Sequence, residues 1–225
     1  MARLRSFIIA AFATMTVANP LPDPTAQLQT RQFPTDQNDL VGGPCKDFTL
    51  VFARGTWELS NMGAVIGPQL CSMLKEQISP NRVACQGVDG MYHALSPPNF
   101  LSANTDAKSI AAAATILELA TTKCPNTQVF AAGYSQGTAV IDYAVQEIKP
   151  EVRDKIKAVA LFGFTRNIRD HGGVPGYPQD KVKIYCAPAD PVCEDILILT
   201  PQHYTYGVYA DDASKFLASK ANLST

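Results

Sequence analysis

Gly133-Tyr134-Ser135-Gln136-Gly137 places a serine between two glycines, where the apolar run QVFAAG gives way to the helix-like TAVIDYAVQEI. Such a strand-to-helix turn is so tight that flanking Cβ atoms would clash, and it presents the serine at the top of a sheet. Backbone N–H groups at the start of the following helix favour negative charge developing there. A serine becomes nucleophilic only beside a base, and in this arrangement an acid and then a histidine follow it along the chain. Of the three histidines, only His171 and His203 come after Ser135. His171 lies in the Gly- and Pro-rich RDHGGVPGYP, ahead of the KVKIYC run, whereas His203 in TPQHYTY follows that run and an acid. The acid is Asp190, in Cys186-Ala187-Pro188-Ala189-Asp190-Pro191-Val192-Cys193, a loop leaving the end of a strand where parallel sheets bind ligands. The expected chemistry is acyl transfer: Ser135 as nucleophile, His203 as base and Asp190 holding the imidazole. Taken singly, Asp190 also suits a turn before proline, and His203 suits a surface position.

These residues need a scaffold. Short apolar runs rich in β-branched and aromatic residues predict strands at 48–53, 128–133, 157–163 and 181–186, with a weaker edge candidate at 83–88. Helix-like stretches lie at about 62–78, 105–122, 136–149 and 211–220. Strands alternating with helices imply a three-layer α/β/α sandwich around a mostly parallel sheet of about five strands.

Composition narrows the function. Lysine and arginine number 19 against 20 aspartates and glutamates, leaving a net charge of -1 and no basic field for nucleic acid. The N-terminus, MARLR followed by SFIIAAFATMTVA, reads as a secretory signal over residues 1–18 and is too short to span a bilayer. Residues 19–42, rich in Pro, Gln, Thr and Asp, read as a pro-segment or flexible arm, which leaves 43–225 as one domain. Six cysteines in a secreted chain indicate disulfides, and with no CxxC pair a metal site is not expected. A Cys186–Cys193 bridge would enclose Asp190 and contribute about 2 to 3 kcal/mol. The other four cysteines allow several pairings from sequence alone. Asn222-Leu223-Ser224 is a glycosylation sequon.

The strand-borne GYSQG, CAPADPVC followed by PQHYTY, and FARGTWE at 52–58 together resemble the fungal cutinases, small serine esterases of the α/β-hydrolase type, over about residues 43–220. The resemblance implies an oxyanion hole made by the Thr56 hydroxyl and the backbone N–H groups of Thr56 and Gln136. It also implies that Asn99 steadies that hydroxyl, and that the disulfides are Cys45–Cys124, Cys71–Cys85 and Cys186–Cys193. It implies an open crevice without a large lid, for which Asn99, Tyr134, Leu197, Leu199 and Tyr204 are candidate lining residues. The expected substrates are cutin-like polyester and short-chain esters, hydrolysed by a monomer without cofactor, nucleic-acid partner or stable membrane insertion. An acetyl esterase acting on acetylated plant polysaccharide shares these features, and a non-catalytic surface-binding protein is the alternative of a different kind. Two residues depart from the family pattern. Ala189 stands where glycine usually precedes the acid, at a cost of about 1 kcal/mol if φ is positive there. Trp57 replaces a smaller residue, either beside the oxyanion hole or packed in the core.

Overall fold

The structure, a computed structural model, describes residues 33–223. Its elements in chain order are α1 (Asp39–Gly42), β1 (Phe48–Ala53), α2 (Gly67–Gln77), β2 (Val83–Gly87), α3 (Ala107–Lys123), β3 (Gln128–Tyr134), α4 (Gln136–Glu147), α5 (Pro150–Arg153), β4 (Ile156–Phe162), β5 (Val182–Tyr185) and α6 (Ala210–Ser219). The five strands form one parallel sheet in the order β2-β1-β3-β4-β5. β1 and β3 are buried along their whole length, which is why they read in the sequence as continuous apolar runs rather than alternating ones.

The period of two appears instead in which core each residue enters. Phe48, Leu50 and Phe52 of β1, Phe130 and Ala132 of β3, and Ala158, Ala160 and Phe162 of β4 pack with Leu70 and Leu74 of α2 and Leu217 of α6. Val51, Ala53, Val129, Ala131, Val159 and Leu161 point the other way, against Ile110 and Leu117 of α3 and Val140, Ile141 and Val145 of α4. Ala53 lies opposite Gly133, Gly133 opposite Leu161, and Phe162 opposite Tyr185, so the C-terminal ends of β1, β3, β4 and β5 line up along one margin of the sheet.

Most boundaries shift from expectation by one or two residues, and three differences have a clear local reason. α2 starts at Gly67 rather than at 62, because Gly63 takes φ +66° and Pro68 fits the first helical turn. The helix expected over 136–149 ends at Glu147. Lys149, which precedes Pro150, is extended with ψ 144°, the conformation proline imposes on its predecessor. The largest difference concerns the expected arm at 19–42, whose last residues are built into the domain. The Gln37 carbonyl accepts the Gly87 N–H at 3.0 Å, the Val41 N–H donates to Gln86 Oε1, the Cys85 N–H donates to Asp39 Oδ2, and Leu40 is buried. Residues 37–41 therefore satisfy the outer edge of β2. The expected signal at 1–18 and the upstream part of the arm lie outside the described residues.

Three disulfides close the chain: Cys45–Cys124, Cys71–Cys85 and Cys186–Cys193, the pairing the resemblance implies. Their separations of 79, 14 and 7 residues correspond in the loop-entropy picture to about 4.5, 3 and 2.5 kcal/mol. Asn222 is tied to β3 by a reciprocal pair of 2.8 Å hydrogen bonds with Gln128, while Ser224 of its sequon lies outside the described residues. Among the described residues no helix is long and apolar enough to cross a membrane.

Candidate active site

Ser135 stands at the end of β3 with φ 52° and ψ -123°, a backbone conformation costing roughly 1 to 3 kcal/mol. Its surroundings impose it. The Ser135 N–H donates to the Phe162 carbonyl at 2.9 Å, and its carbonyl accepts from both the N–H and the hydroxyl of Thr138 in the first turn of α4. A Cβ on Gly133 would run into the Gly137 carbonyl, and one on Gly137 into the Ala53 carbonyl, so neither position accepts a larger residue.

His203 and Asp190 reach Ser135 from the segment of chain that follows β5. Ser135 Oγ lies 2.9 Å from His203 Nε2, and His203 Nδ1 lies 2.8 Å from Asp190 Oδ2. All three side chains are buried. Tyr206 fixes the tautomer. It accepts the Ala187 N–H at 3.1 Å, so its own hydrogen goes to Asp190 Oδ2 at 2.6 Å. The carboxylate, which also accepts the Val192 N–H, thus receives the His203 Nδ1–H and leaves Nε2 free to take the serine proton. Burial and the hydrogen bond to Asp190 push the Tyr206 hydroxyl well above the usual phenol range, so it remains a donor. Tyr134, also shifted up by burial, donates to the His203 carbonyl at 2.7 Å and holds the turn that carries the imidazole. Cys186–Cys193 closes the loop around Asp190. Ala189 has φ +64°, so the alanine at the family's glycine position is strained as anticipated.

On the other flank, the turn after β1 carries Thr56. Arg54 anchors it from beneath, donating Nε to the Glu58 carbonyl, Nη1 to Val88 and Nη2 to Tyr92, while the Tyr92 hydroxyl returns a 2.6 Å bond to the Arg54 carbonyl. Glu58 closes the same turn by accepting from the Gly55, Ala64 and Val65 N–H groups. Asn99 Nδ2 donates to Thr56 Oγ1 at 3.0 Å. Gln136 is the first residue of α4, where a backbone N–H has no partner within the helix.

Between the flanks lies a crevice of about 180 Å³ with Ser135 and His203 in its wall. Thr56, Asn99, Tyr134, Leu197, Leu199 and Tyr204, all anticipated from sequence, line it. Trp57 is two-thirds exposed at the rim, with φ 63°, and is no core residue. Ile196, Ile198 and Leu199, neighbours of Leu197, are exposed as well. His93 and His171 are exposed on loops away from the crevice. The sequence reading missed Tyr206, whose only signal was its place three residues after His203, and Glu58, three residues after Gly55.

A parallel sheet that hands a strained serine to a helix N-terminus, with aspartate and histidine following in that order, defines the α/β-hydrolase class. The chain belongs to the cutinase family, whose model matches residues 44–221, and it is a carboxylic ester hydrolase. It is 54% identical over 217 residues to a probable cutinase 3 of Neosartorya fischeri, covering 96% of this chain and 98% of that one. It is 49% identical to cutinase 3 of Emericella nidulans, covering 98% of this chain and all of the relative. Among solved structures, Trichoderma reesei cutinase in complex with a phosphonate inhibitor matches with a TM-score of 0.74 at 30% identity, covering 86% of this chain and 82% of that one. The catalytic core of an acetyl xylan esterase from Trichoderma reesei shares the fold, with a TM-score of 0.57 at 20% identity over 79% of this chain and all of that one.

Proposed function

We propose that this protein is a secreted, monomeric serine esterase that hydrolyses cutin-like aliphatic polyester and short-chain esters through an acyl-enzyme formed on Ser135. The observation that carries the reading is the continuous relay from Ser135 Oγ to His203 Nε2 and from His203 Nδ1 to Asp190 Oδ2, at 2.9 and 2.8 Å, beside an apolar crevice. As Ser135 Oγ attacks the ester carbonyl carbon, His203 Nε2 takes its proton, and Asp190 stabilises the imidazolium that results. The carbonyl oxygen becomes an oxyanion, met by the Thr56 hydroxyl and by the N–H groups of Thr56 and Gln136. Collapse of the tetrahedral intermediate breaks the bond to the alcohol oxygen, which leaves with the proton from His203. Water, deprotonated by the same imidazole, then releases the acid and restores the serine.

The rim supports an extended apolar substrate. Trp57, Phe100, Leu199 and Tyr204 are all more than half exposed around the crevice mouth, where a small polar ester would have no use for them. The signal-like N-terminus and three disulfides support secretion. Para-nitrophenyl butyrate should be hydrolysed by the wild type and not by Ser135→Ala; turnover that survives the substitution would refute the assignment. Release of hydroxy acids from cutin should exceed release of acetate from acetylated xylan. The reverse preference would make the protein an acetyl esterase.

A further inference from the structure

The Thr56 hydroxyl has one hydrogen, and it serves an oxyanion only if it is not spent on a neighbour. Asn99 presents both ends of its amide to Thr56 Oγ1, Nδ2 at 3.0 Å and Oδ1 at 3.5 Å. If Asn99 Oδ1 took the hydroxyl hydrogen, the donor would be lost to the reaction. What decides between the two is Gln136. Its side-chain Nε2 donates to Asn99 Oδ1 at 2.5 Å and to the Leu95 backbone carbonyl at 2.7 Å, and the residue is buried. A backbone carbonyl can only accept, so it fixes which end of the Gln136 amide faces it. The Gln136 amide then fixes Asn99, because turning Asn99 over would set two NH₂ groups against each other. With Oδ1 turned to Gln136, Asn99 meets Thr56 Oγ1 chiefly as a donor, Nδ2 at 3.0 Å against the long 3.5 Å contact to Oδ1, and the Thr56 hydrogen is left facing the crevice. Polarity runs one way, from an unchangeable acceptor at Leu95 to a free donor beside Ser135.

We infer that Gln136 acts twice, with its backbone N–H in the oxyanion hole and its side chain as the positioning residue that orients Asn99 and so keeps the Thr56 hydroxyl free for the oxyanion. This rests on the ester-hydrolysis reading above. The inference differs from a simple packing role in what it predicts for pairs of substitutions. Gln136→Met keeps the backbone N–H and most of the volume but removes the amide, so Asn99 is free to turn over and capture the Thr56 hydrogen. Thr56→Val removes the hydroxyl outright.

The test is a double-mutant cycle on the full chain with para-nitrophenyl butyrate. Thr56→Val should lower kcat by roughly 10²-fold, the scale for losing one oxyanion donor, with little change in KM. Gln136→Met should lower kcat by about 10-fold or more, again with KM nearly unchanged, as expected for an interaction made only in the transition state. In the Thr56→Val background, Gln136→Met should cost less than about twofold, because no hydroxyl remains to be misdirected. Equal losses from Gln136→Met in both backgrounds would overturn the inference and leave a packing role. Loss through KM alone would overturn it too. Should Gln136→Met not fold, Gln136→Glu keeps the shape and substitutes an acceptor facing Leu95 and Asn99, and the same cycle decides. A Thr56→Val enzyme with wild-type kcat would also refute the inference, while the Ser135→Ala test of the underlying reading would be untouched.

Discussion

The two flanks of Ser135 are held by different means. The base flank, residues 186–206, is one short stretch of chain. It is closed by Cys186–Cys193 and stitched by Tyr206 from Ala187 to Asp190. The flank proposed to form the oxyanion hole gathers segments far apart in sequence: the turn at 54–58, the loops at 88–99, and the helix start at Gln136. They are joined by Arg54, Tyr92, Asn99 and Gln136, and no disulfide crosses among them. The proposed relay, which would pass a proton between atoms under 3 Å apart, needs fixed distances, which a covalent loop supplies. A hole that receives a newly formed charge needs donors pointed correctly, and ordered hydrogen bonds supply that.

The strongest test of the contrast is Asp190→Asn, which leaves the loop closed but unsettles the His203 tautomer. kcat should fall by about 10⁴-fold, with melting temperature nearly unchanged. Next comes Arg54→Met, which leaves the Glu58, Val88 and Tyr92 carbonyls without their donor. Stability should drop by about 3 to 5 kcal/mol in chemical denaturation, with KM and kcat both disturbed. A stability loss under 1 kcal/mol would mean that the oxyanion flank does not depend on this guanidinium. Replacing Cys186 and Cys193 together by serine should cost about 2 kcal/mol while the oxyanion-dependent kcat/KM response to Thr56→Val stays the same.

A pH effect on stability should appear on the oxyanion side. Arg166 donates to the Ser102 carbonyl, in the loop that carries Asn99, and is paired with Asp170 at 2.7 Å and with the buried Asp142 at 3.7 Å. Burial and then the neighbouring Asp170 push the Asp142 carboxyl up to about 8. The folded chain therefore binds this proton more tightly than the unfolded one, whose carboxyl titrates near about 4. Its contribution to stability is full below about pH 4 and is lost as pH rises toward about 8. Asp142→Asn should flatten that slope in urea melts measured between those limits, and an unchanged slope would rule Asp142 out as its source. The smallest change is expected from Ala189→Gly. Relief of φ +64° should gain about 1 kcal/mol, less the entropy glycine adds to the unfolded chain, with kcat unaltered.

How much of this was legible in the sequence varied with the kind of interaction. Strands buried on both faces announced themselves as apolar runs, and the Gly133/Gly137 spacing located the elbow, because sterics alone dictate those residue types. Asp190 and His203 followed from chain order. Trp57 was left open, since a large aromatic suits both a core and a rim and only position decides. Residues 37–41 read as an arm because the groups that hold them are polar: Gln37, Asn38 and Asp39 look like linker until β2 is seen to need partners. Tyr206 and Gln136 went unread as positioning groups because their importance lies in which way a hydrogen points, and residue type does not encode that.

The strip over β2 bears on maturation. If the signal-like N-terminus and the arm after it are removed, as the sequence leads us to expect, the cut should fall upstream of Gln37, since loss of residues 37–39 would uncover the backbone N–H groups of Cys85 and Gly87 along β2. Such an edge invites pairing with a second chain. A mature terminus made in this way would be bounded by strand chemistry as well as by the specificity of the processing enzyme.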